Sequence, residues 1–125
     1  MKKNLSIIAV LGIITIILGA FGAHMLKERL SIDDLQSFET AVRYQMYHVI
    51  VLLFVNTYVD FSTKVKNSIS LFFFIGILLF SGSIYLITIA KIPAKSIWFT
   101  TPLGGVSFIV GWTLMFLSFI KKNKS

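Results

Sequence analysis

The chain has 125 residues, of which 56% are hydrophobic, and its formal net charge at pH 7 is +7. It contains no cysteine, which excludes disulfides, thiolate catalysis and cysteine-ligated zinc or iron–sulfur centres. The mean hydropathy of +0.85 reflects more apolar surface than a small soluble domain can bury, so we expect an integral membrane protein.

The apolar residues are concentrated in four uncharged runs at residues 4–26, 44–59, 67–90 and 96–120. A helix of about 20 apolar residues crosses a hydrocarbon core of about 30 Å. The runs lack the apolar–polar alternation of a β-barrel, and in lipid each backbone group must be satisfied within its own segment. The sequence therefore predicts an all-α integral membrane four-helix bundle, one domain over residues 1–125, with spans at about 4–25, 42–61, 68–90 and 101–120.

The segment between the first two spans is polar, but it also has helical features. Ser31 stands at an N-cap position, and Asp33 and Asp34 suit the positive end of a helix dipole. Apolar residues follow at helical spacing, as in an amphipathic helix. We therefore predict an interfacial helix at about residues 32–43, which can continue into the second span.

Basic residues flank the apolar runs. Seven lysines lie on the side that would carry both termini, against five basic residues on the other side. This bias predicts a protein of the bacterial cell membrane with both termini on the cytoplasmic side. This placement favours membrane lipids as partners, and it argues against nucleic acid because no basic face lies on a soluble element. The first run has features of a signal peptide, but its length and the three runs after it predict an uncleaved first helix.

Six residues are candidates for a ligand site or a polar core: His24, Tyr44, Gln45, His48, Asn56 and Tyr85. His48 stands out because a titratable group inside a span is costly and requires a partner or a function. One interpretation is a proton-accepting or ligand-binding imidazole, oriented by Gln45 or a tyrosine. The other is a neutral, hydrogen-bonded histidine that ties the second helix to its neighbours. The sequence offers no catalytic set, and two histidines alone are too few to predict a metal or another cofactor.

Small residues fall on one face of several predicted helices. Because lipid gives no hydrophobic drive for helix association, close backbone approach must supply it. These faces can be used within one bundle, between copies of the chain, or with another membrane protein. The predicted packing residues are Gly12, Gly19, Gly22, Ser81, Gly82, Gly104, Gly105 and Gly111.

Five short motifs follow one another along the chain: GAFGAH at residues 19–24, YQMYH at 44–48, FSGSIY at 80–85, PLGG at 102–105 and GW at 111–112. Their order resembles the YgdD/YwdK group, a widespread group of small bacterial membrane proteins with a relative in animals. The resemblance implies a four-helix, multi-pass protein of the cytoplasmic membrane. It brings no established biochemical activity.

Three functions compete at this point. The first is a non-enzymatic module that binds lipid or protein and has a polar helix interface. The second is a small ion or metabolite transporter or channel, although the first run lacks the buried carboxylate that a small multidrug exporter needs. The third is an intramembrane enzyme that acts on lipid or quinone, with His48 as its base. We expect the first, with transport as the alternative.

Overall fold

The computed structural model describes residues 2–124, and the side chains of these residues except 2, 23 and 122–124. Four long helices make up this part of the chain. The first, α1, comprises Lys2–Ile16, Ile17–Gly22 and Ala23–Leu26 without interruption; α2 is Ile32–Thr57; α3 comprises Thr63–Gly76, Ile77–Ser81 and Gly82–Thr88; α4 is Thr100–Lys124. A short 3₁₀ turn, Ala94–Ser96, lies between α3 and α4. The all-α prediction is confirmed.

The four helices form an antiparallel, up-and-down bundle. At one end, the Asn4 amide donates to Asn56 Oδ1, which joins the start of α1 to the end of α2. At the same end, the rings of Phe61 and Phe119 lie 5.1 Å apart, which brings the end of α4 to the α2–α3 loop. We call this the terminal end, since α1 begins and α4 ends there. The opposite end carries the α1–α2 and α3–α4 loops.

Three of the four helices are long and apolar enough to cross a membrane: Lys3–Leu26, Thr63–Thr88 and Thr100–Lys121. The α2 helix has 26 residues, about 39 Å at 1.5 Å per residue, but polar side chains lower its hydropathy. Ser31 caps it by accepting a hydrogen bond from the Asp34 N–H at 3.1 Å, as predicted.

The predicted helix at 32–43 continues into the second apolar run, as the sequence allowed, and both are parts of α2. The second predicted segment was expected to run to residue 61, but its helix ends at Thr57. The Ser62 hydroxyl then accepts from the Val65 N–H and starts a new helix, so α3 begins at Thr63, before the predicted residue 68.

The closest contacts in the bundle are between α3 and α4. A Cβ added at Gly76 would overlap the ring of Phe108, and one added at Gly111 would come within 2.5 Å of the Phe73 ring. Aromatic rings from each helix therefore occupy the space that glycines leave on the other. The α1 helix, in contrast, packs mainly against α2 and exposes much of its apolar surface, as a lipid-facing helix does.

Two helices contain a wider, π-helical turn: Ile17–Gly22 in α1 and Ile77–Ser81 in α3. Both turns overlap Gly- and Ser-rich motifs, and both flank the same part of α2. Gly22 lies against the ring of Phe38, and Ser81 donates a hydrogen bond to the carbonyl of Ala41 at 2.7 Å. Such turns are rare and recur at functional sites.

Candidate functional site

Gln45 lies near the middle of α2 and joins three helices. Its amide nitrogen donates to Thr15 Oγ1 at 2.8 Å and to the Leu11 carbonyl at 3.3 Å, both on α1. Its amide oxygen accepts from the Tyr85 hydroxyl on α3 at 2.7 Å. Gln45 is 2% exposed, so these internal partners take the place of water. We call Thr15, Gln45 and Tyr85 the central network.

One turn later on α2, His48 is held at both ring nitrogens. Nδ1 lies 2.7 Å from the carbonyl oxygen of Tyr44, which can only accept, so Nδ1 carries the proton. Nε2 lies 3.0 Å from Trp112 Nε1, and an indole N–H can only donate, so Nε2 is unprotonated. The two bonds together select the neutral Nδ1–H tautomer.

Aromatic rings enclose the imidazole of His48. Phe108 stacks on it with ring centroids 3.7 Å apart and an interplanar angle of 9°. Phe73 meets it edge-on at 5.1 Å, and Trp112 does so at 6.0 Å. The side chain is only 5% exposed. A ligand would therefore have to displace a ring or break a hydrogen bond to reach either nitrogen.

Trp112 lies at the middle of α4, whereas membrane tryptophans concentrate at the two interfaces. At this depth no water is present to accept from the indole N–H. His48 Nε2 takes that role, so the histidine and the tryptophan satisfy each other. This bond ties α2 to α4 as the central network ties α2 to α1 and α3.

At the terminal end, Asn56 links α1, α2 and α3 in a second cluster. Its amide nitrogen donates to the Leu52 carbonyl at 2.9 Å and to Ser70 Oγ at 2.8 Å. Its oxygen accepts from Asn4, whose amide nitrogen also lies 3.0 Å from Asn67 Oδ1. Asn56 is completely buried, and its polar atoms are used inside the protein.

Serine and threonine hydroxyls complete the polar contacts between helices. Ser107 on α4 donates to the Phe72 carbonyl on α3 at 2.6 Å. At the opposite end, the hydroxyls of Ser83 and Thr101 lie 2.5 Å apart and join the same two helices. Throughout the described residues, every buried side-chain nitrogen or oxygen has a hydrogen-bond partner. The polar side chains inside the bundle thus serve to hold the helices together.

The six predicted candidate residues do not form one site. Gln45 and Tyr85 bond to each other, while His48 and Asn56 belong to separate contacts. Tyr44 is partly exposed and stacks on Phe80, so its carbonyl, and not its phenol, orients His48. Of the residues expected to orient the imidazole, a tyrosine does contact it, through the Tyr44 carbonyl, whereas Gln45 bonds to Thr15 and Tyr85.

His24 is exposed at the end of α1 and takes no part in the contacts of His48. Across residues 2–124, no group of three His, Asp or Glu side chains is placed to hold a metal ion. Four grooves open on the outside of the bundle, two of them at the terminal end and two toward the opposite end.

Sequence reasoning missed two partners in the core. Trp112 was seen only as part of a GW motif, although an indole at mid-helix requires an acceptor in the membrane. Thr15 was not among the predicted candidates, although it lies near Gly12 and Gly19 on one face of α1, where a threonine can bond across the interface.

The glycines also differ from one another in the structure. Gly19 lies close to Val42, and a Cβ on Gly104 would overlap the backbone nitrogen of Phe80. Gly105, predicted as a packing residue, has nothing within 4 Å of an added Cβ, and Gly82 approaches only its own helix. Gly76, which the sequence did not single out, makes one of the closest approaches.

The chain matches a family described as "protein of unknown function (DUF423)" over residues 18–105. This match contains four of the five motifs, from GAFGAH to PLGG. No solved structure matches the chain.

Several known proteins are similar over most of the chain. The inner membrane protein YgdD of Escherichia coli K12 is 33% identical over 124 residues, which covers 93% of this chain and 88% of YgdD. YwdK of Bacillus subtilis is 34% identical over 123 residues, covering 97% and 98%. A UPF0382 membrane protein of Staphylococcus saprophyticus is 40% identical over 103 residues, covering 82% and 84%. The resemblance seen in the motifs is therefore confirmed: the chain is a bacterial membrane protein that belongs to the DUF423 family.

Proposed function

We propose that this protein is a non-enzymatic module of the bacterial cytoplasmic membrane that acts by binding other membrane components, lipid or protein, on its outer surface. The observation that carries this proposal is the pairing of the interior: in the described residues, each buried polar side-chain atom has a partner within the chain. On this account the polar residues set the shape of the bundle, and its outer surface makes the functional contacts.

The histidine site supports a structural role over a catalytic one. A general base must come within hydrogen-bond reach of the proton that it removes. His48 Nε2 is the unprotonated nitrogen, and Trp112 already donates to it at 3.0 Å. Phe108 covers one ring face at stacking distance. An intramembrane enzyme with His48 as its base would need both residues to move away.

No particular contact favours the transport alternative. Polar residues of a transport pathway face a water-filled cavity between helices. The interior polar groups described above face one another, and the grooves lie on the outside of the bundle. These two features support the interaction module.

We further propose that α2 crosses the membrane, which makes four passes. It runs antiparallel to α1 along the whole of that helix, with Asn4 bonded to Asn56, Thr15 to Gln45, and Gly22 against Phe38. Since α1 is long and apolar enough to span, its neighbour lies at the same depth. In the second half of α2, the polar residues Gln45, His48 and Asn56 have partners inside the bundle, which lowers the cost of placing them in lipid.

The absence of cysteine makes the topology directly testable. Ser37 and Ser62 are exposed near opposite ends of α2. In intact cells, a membrane-impermeant thiol reagent should label only one of the variants Ser37→Cys and Ser62→Cys. Equal labelling of both from outside the cell would place the two residues on one side and contradict four passes.

Reconstitution tests the interaction module against transport. Proteoliposomes with the wild-type protein should leak protons, fluoride and small cations no faster than protein-free liposomes. Variants Gln45→Ala and His48→Ala serve as controls for the interior. A wild-type flux that either substitution abolishes would show that the interior conducts, and it would overturn the proposal.

A further inference from the structure

A surface groove of about 540 Å³ runs between α3 and α4 at the terminal end of the bundle. Its size is within the range of small-molecule sites, about 300–1,000 Å³. Two lysines and two serines border it together with apolar side chains, and we call it the lysine groove. The main lining residues are Lys64, Ser68, Leu114, Leu117, Ser118 and Lys121.

We propose that the lysine groove binds the phosphate headgroup of an anionic glycerophospholipid, with the start of an acyl chain lying along its apolar wall. This inference names a lipid partner for the interaction module and therefore rests on the proposed function. It also rests on the placement of charges and apolar residues on two different helices.

The positive charges of the groove come from the membrane-interface ends of both helices. Lys64 lies in the first turn of α3, and Lys121 lies near the end of α4. Both side chains are exposed, and flexible lysine stems can extend toward headgroups. The Ser68 hydroxyl, one turn after Lys64, can donate to a phosphate oxygen. Two lysines and a hydroxyl on one groove favour a headgroup with a net negative charge over phosphocholine, whose quaternary ammonium offsets the charge of its phosphate.

The depth of the groove favours a lipid over a free phosphate. Leu114 lies seven residues before Lys121 on α4, about 10 Å deeper in the membrane. The groove therefore runs from the headgroup level into the hydrocarbon region, and its apolar wall matches a chain that is attached to the headgroup.

One acidic residue lies near this groove. Asp60 lines an adjoining groove, which shares Val65, Ser118 and Lys121 with the first. Asp60 already interacts within the protein, and the two lysines Lys64 and Lys121 outnumber it at the two grooves. The charge around the groove remains positive, as an anionic headgroup requires.

The opposite end of the bundle supplies a matched control. Lys91 and Lys95 are likewise two exposed lysines in a segment near a helix end, but neither lines any of the four grooves described above. A general attraction between lysines and anionic lipids would act equally at both places. A specific lipid-binding site would depend only on Lys64 and Lys121.

Native mass spectrometry of the full-length protein can test the site. The protein is released from nanodiscs that contain equal amounts of phosphatidylglycerol and phosphatidylcholine, and the retained lipid is counted. The wild type should retain phosphatidylglycerol selectively. The double variant Lys64→Gln/Lys121→Gln should lower that retention by roughly tenfold or more, and Lys91→Gln/Lys95→Gln should leave it within about twofold.

A third variant tests the apolar wall without changing any charge. Leu117 lines the groove and is 47% exposed, so Leu117→Trp can fill the groove without disturbing the core. It should reduce retention while both lysines remain. Excess glycerol 3-phosphate, which has no acyl chain, should not displace the lipid. Thermal unfolding midpoints close to the wild-type value show that each variant is folded.

Three results would overturn the lipid site. They are equal retention of the two lipids by the wild type, equal losses in the two lysine pairs, and unchanged retention in Leu117→Trp. None of them depends on the flux experiment, so a failure of the lipid site and a failure of the interaction module are distinguishable.

Discussion

The interior of the bundle and the lysine groove use polar residues in opposite ways. In the interior, the amide of Gln45 and the imidazole of His48 find their partners on neighbouring helices. In the groove, Lys64 and Lys121 are exposed near the ends of α3 and α4. On the function proposed above, the paired polar groups fix the structure, and the exposed ones are available to an outside partner.

The largest effect we expect distinguishes two adjacent glycines of α4. An alanine at Gly104 would overlap the backbone of Phe80, which cannot move without separating α3 from α4. Gly104→Ala should lower the free energy of unfolding by about 3 kcal/mol. An alanine at Gly105 meets nothing within 4 Å, so Gly105→Ala should be neutral or up to about 1 kcal/mol more stable. Denaturation in micelles measures the free energy of unfolding of both variants. Equal losses of stability in the two would contradict the contrast between the crowded Gly104 and the open Gly105.

The central network should show the next largest effect. Gln45→Met keeps the side-chain volume but leaves the Tyr85 hydroxyl without its acceptor, which should cost about 1–3 kcal/mol. Adding Tyr85→Phe removes the stranded hydroxyl, so the double variant should recover part of that loss. The same unfolding assay gives the coupling energy. Strictly additive losses would show that the two side chains act independently.

Replacing the indole should have a smaller effect. Trp112→Phe removes the hydrogen bond to His48 Nε2 and should cost about 1–2 kcal/mol, since model helices in membranes give this range for one such bond. Trp98, which is exposed before α4, is the matched control. Trp98→Phe should change stability by less than about 0.5 kcal/mol. A larger effect at Trp98 would mean that loss of an indole, and not of the bond, decides stability.

The smallest effect on stability should come from the lysine groove. Lys64→Gln/Lys121→Gln changes two exposed side chains and should shift the free energy of unfolding in neutral detergent by less than about 0.5 kcal/mol. A large loss in detergent, where no anionic lipid is present, would assign these lysines to the structure of the bundle. The distinction between interior polar groups that fix the structure and groove lysines that are available to a partner would then be contradicted.

The sequence predicted the helices well because lipid imposes a simple rule on them. Long apolar runs in a membrane must be helical, and Ser31 marks the start of α2 by its capping chemistry. The sequence left open whether the helix at 32–43 continues into the second apolar run, and the structure joins the two in α2. Hydropathy cannot register that the partner of Gln45 is Thr15 on another helix.

Pairing across helices was the part that the sequence could not supply. His48 was recognised as costly, but its partner Trp112 lies 64 residues away. The same limit applies to glycines, because the neighbouring helix decides that Gly104 is crowded and Gly105 is free. Helical periodicity finds a face, and only the rotation of the facing helix determines which residue on it makes contact.

The tautomer of His48 tests most directly whether interior polar groups are satisfied by one another. In a His24→Gln variant, His48 is the only histidine, so ¹⁵N NMR of the labelled imidazole in nanodiscs at neutral pH is free of overlap. The bonds from Nδ1 to the Tyr44 carbonyl and from Trp112 to Nε2 predict the Nδ1–H tautomer, with a change in the Nε2 signal on Trp112→Phe. An Nε2–H or doubly protonated ring in the protein with Trp112 intact would contradict the account.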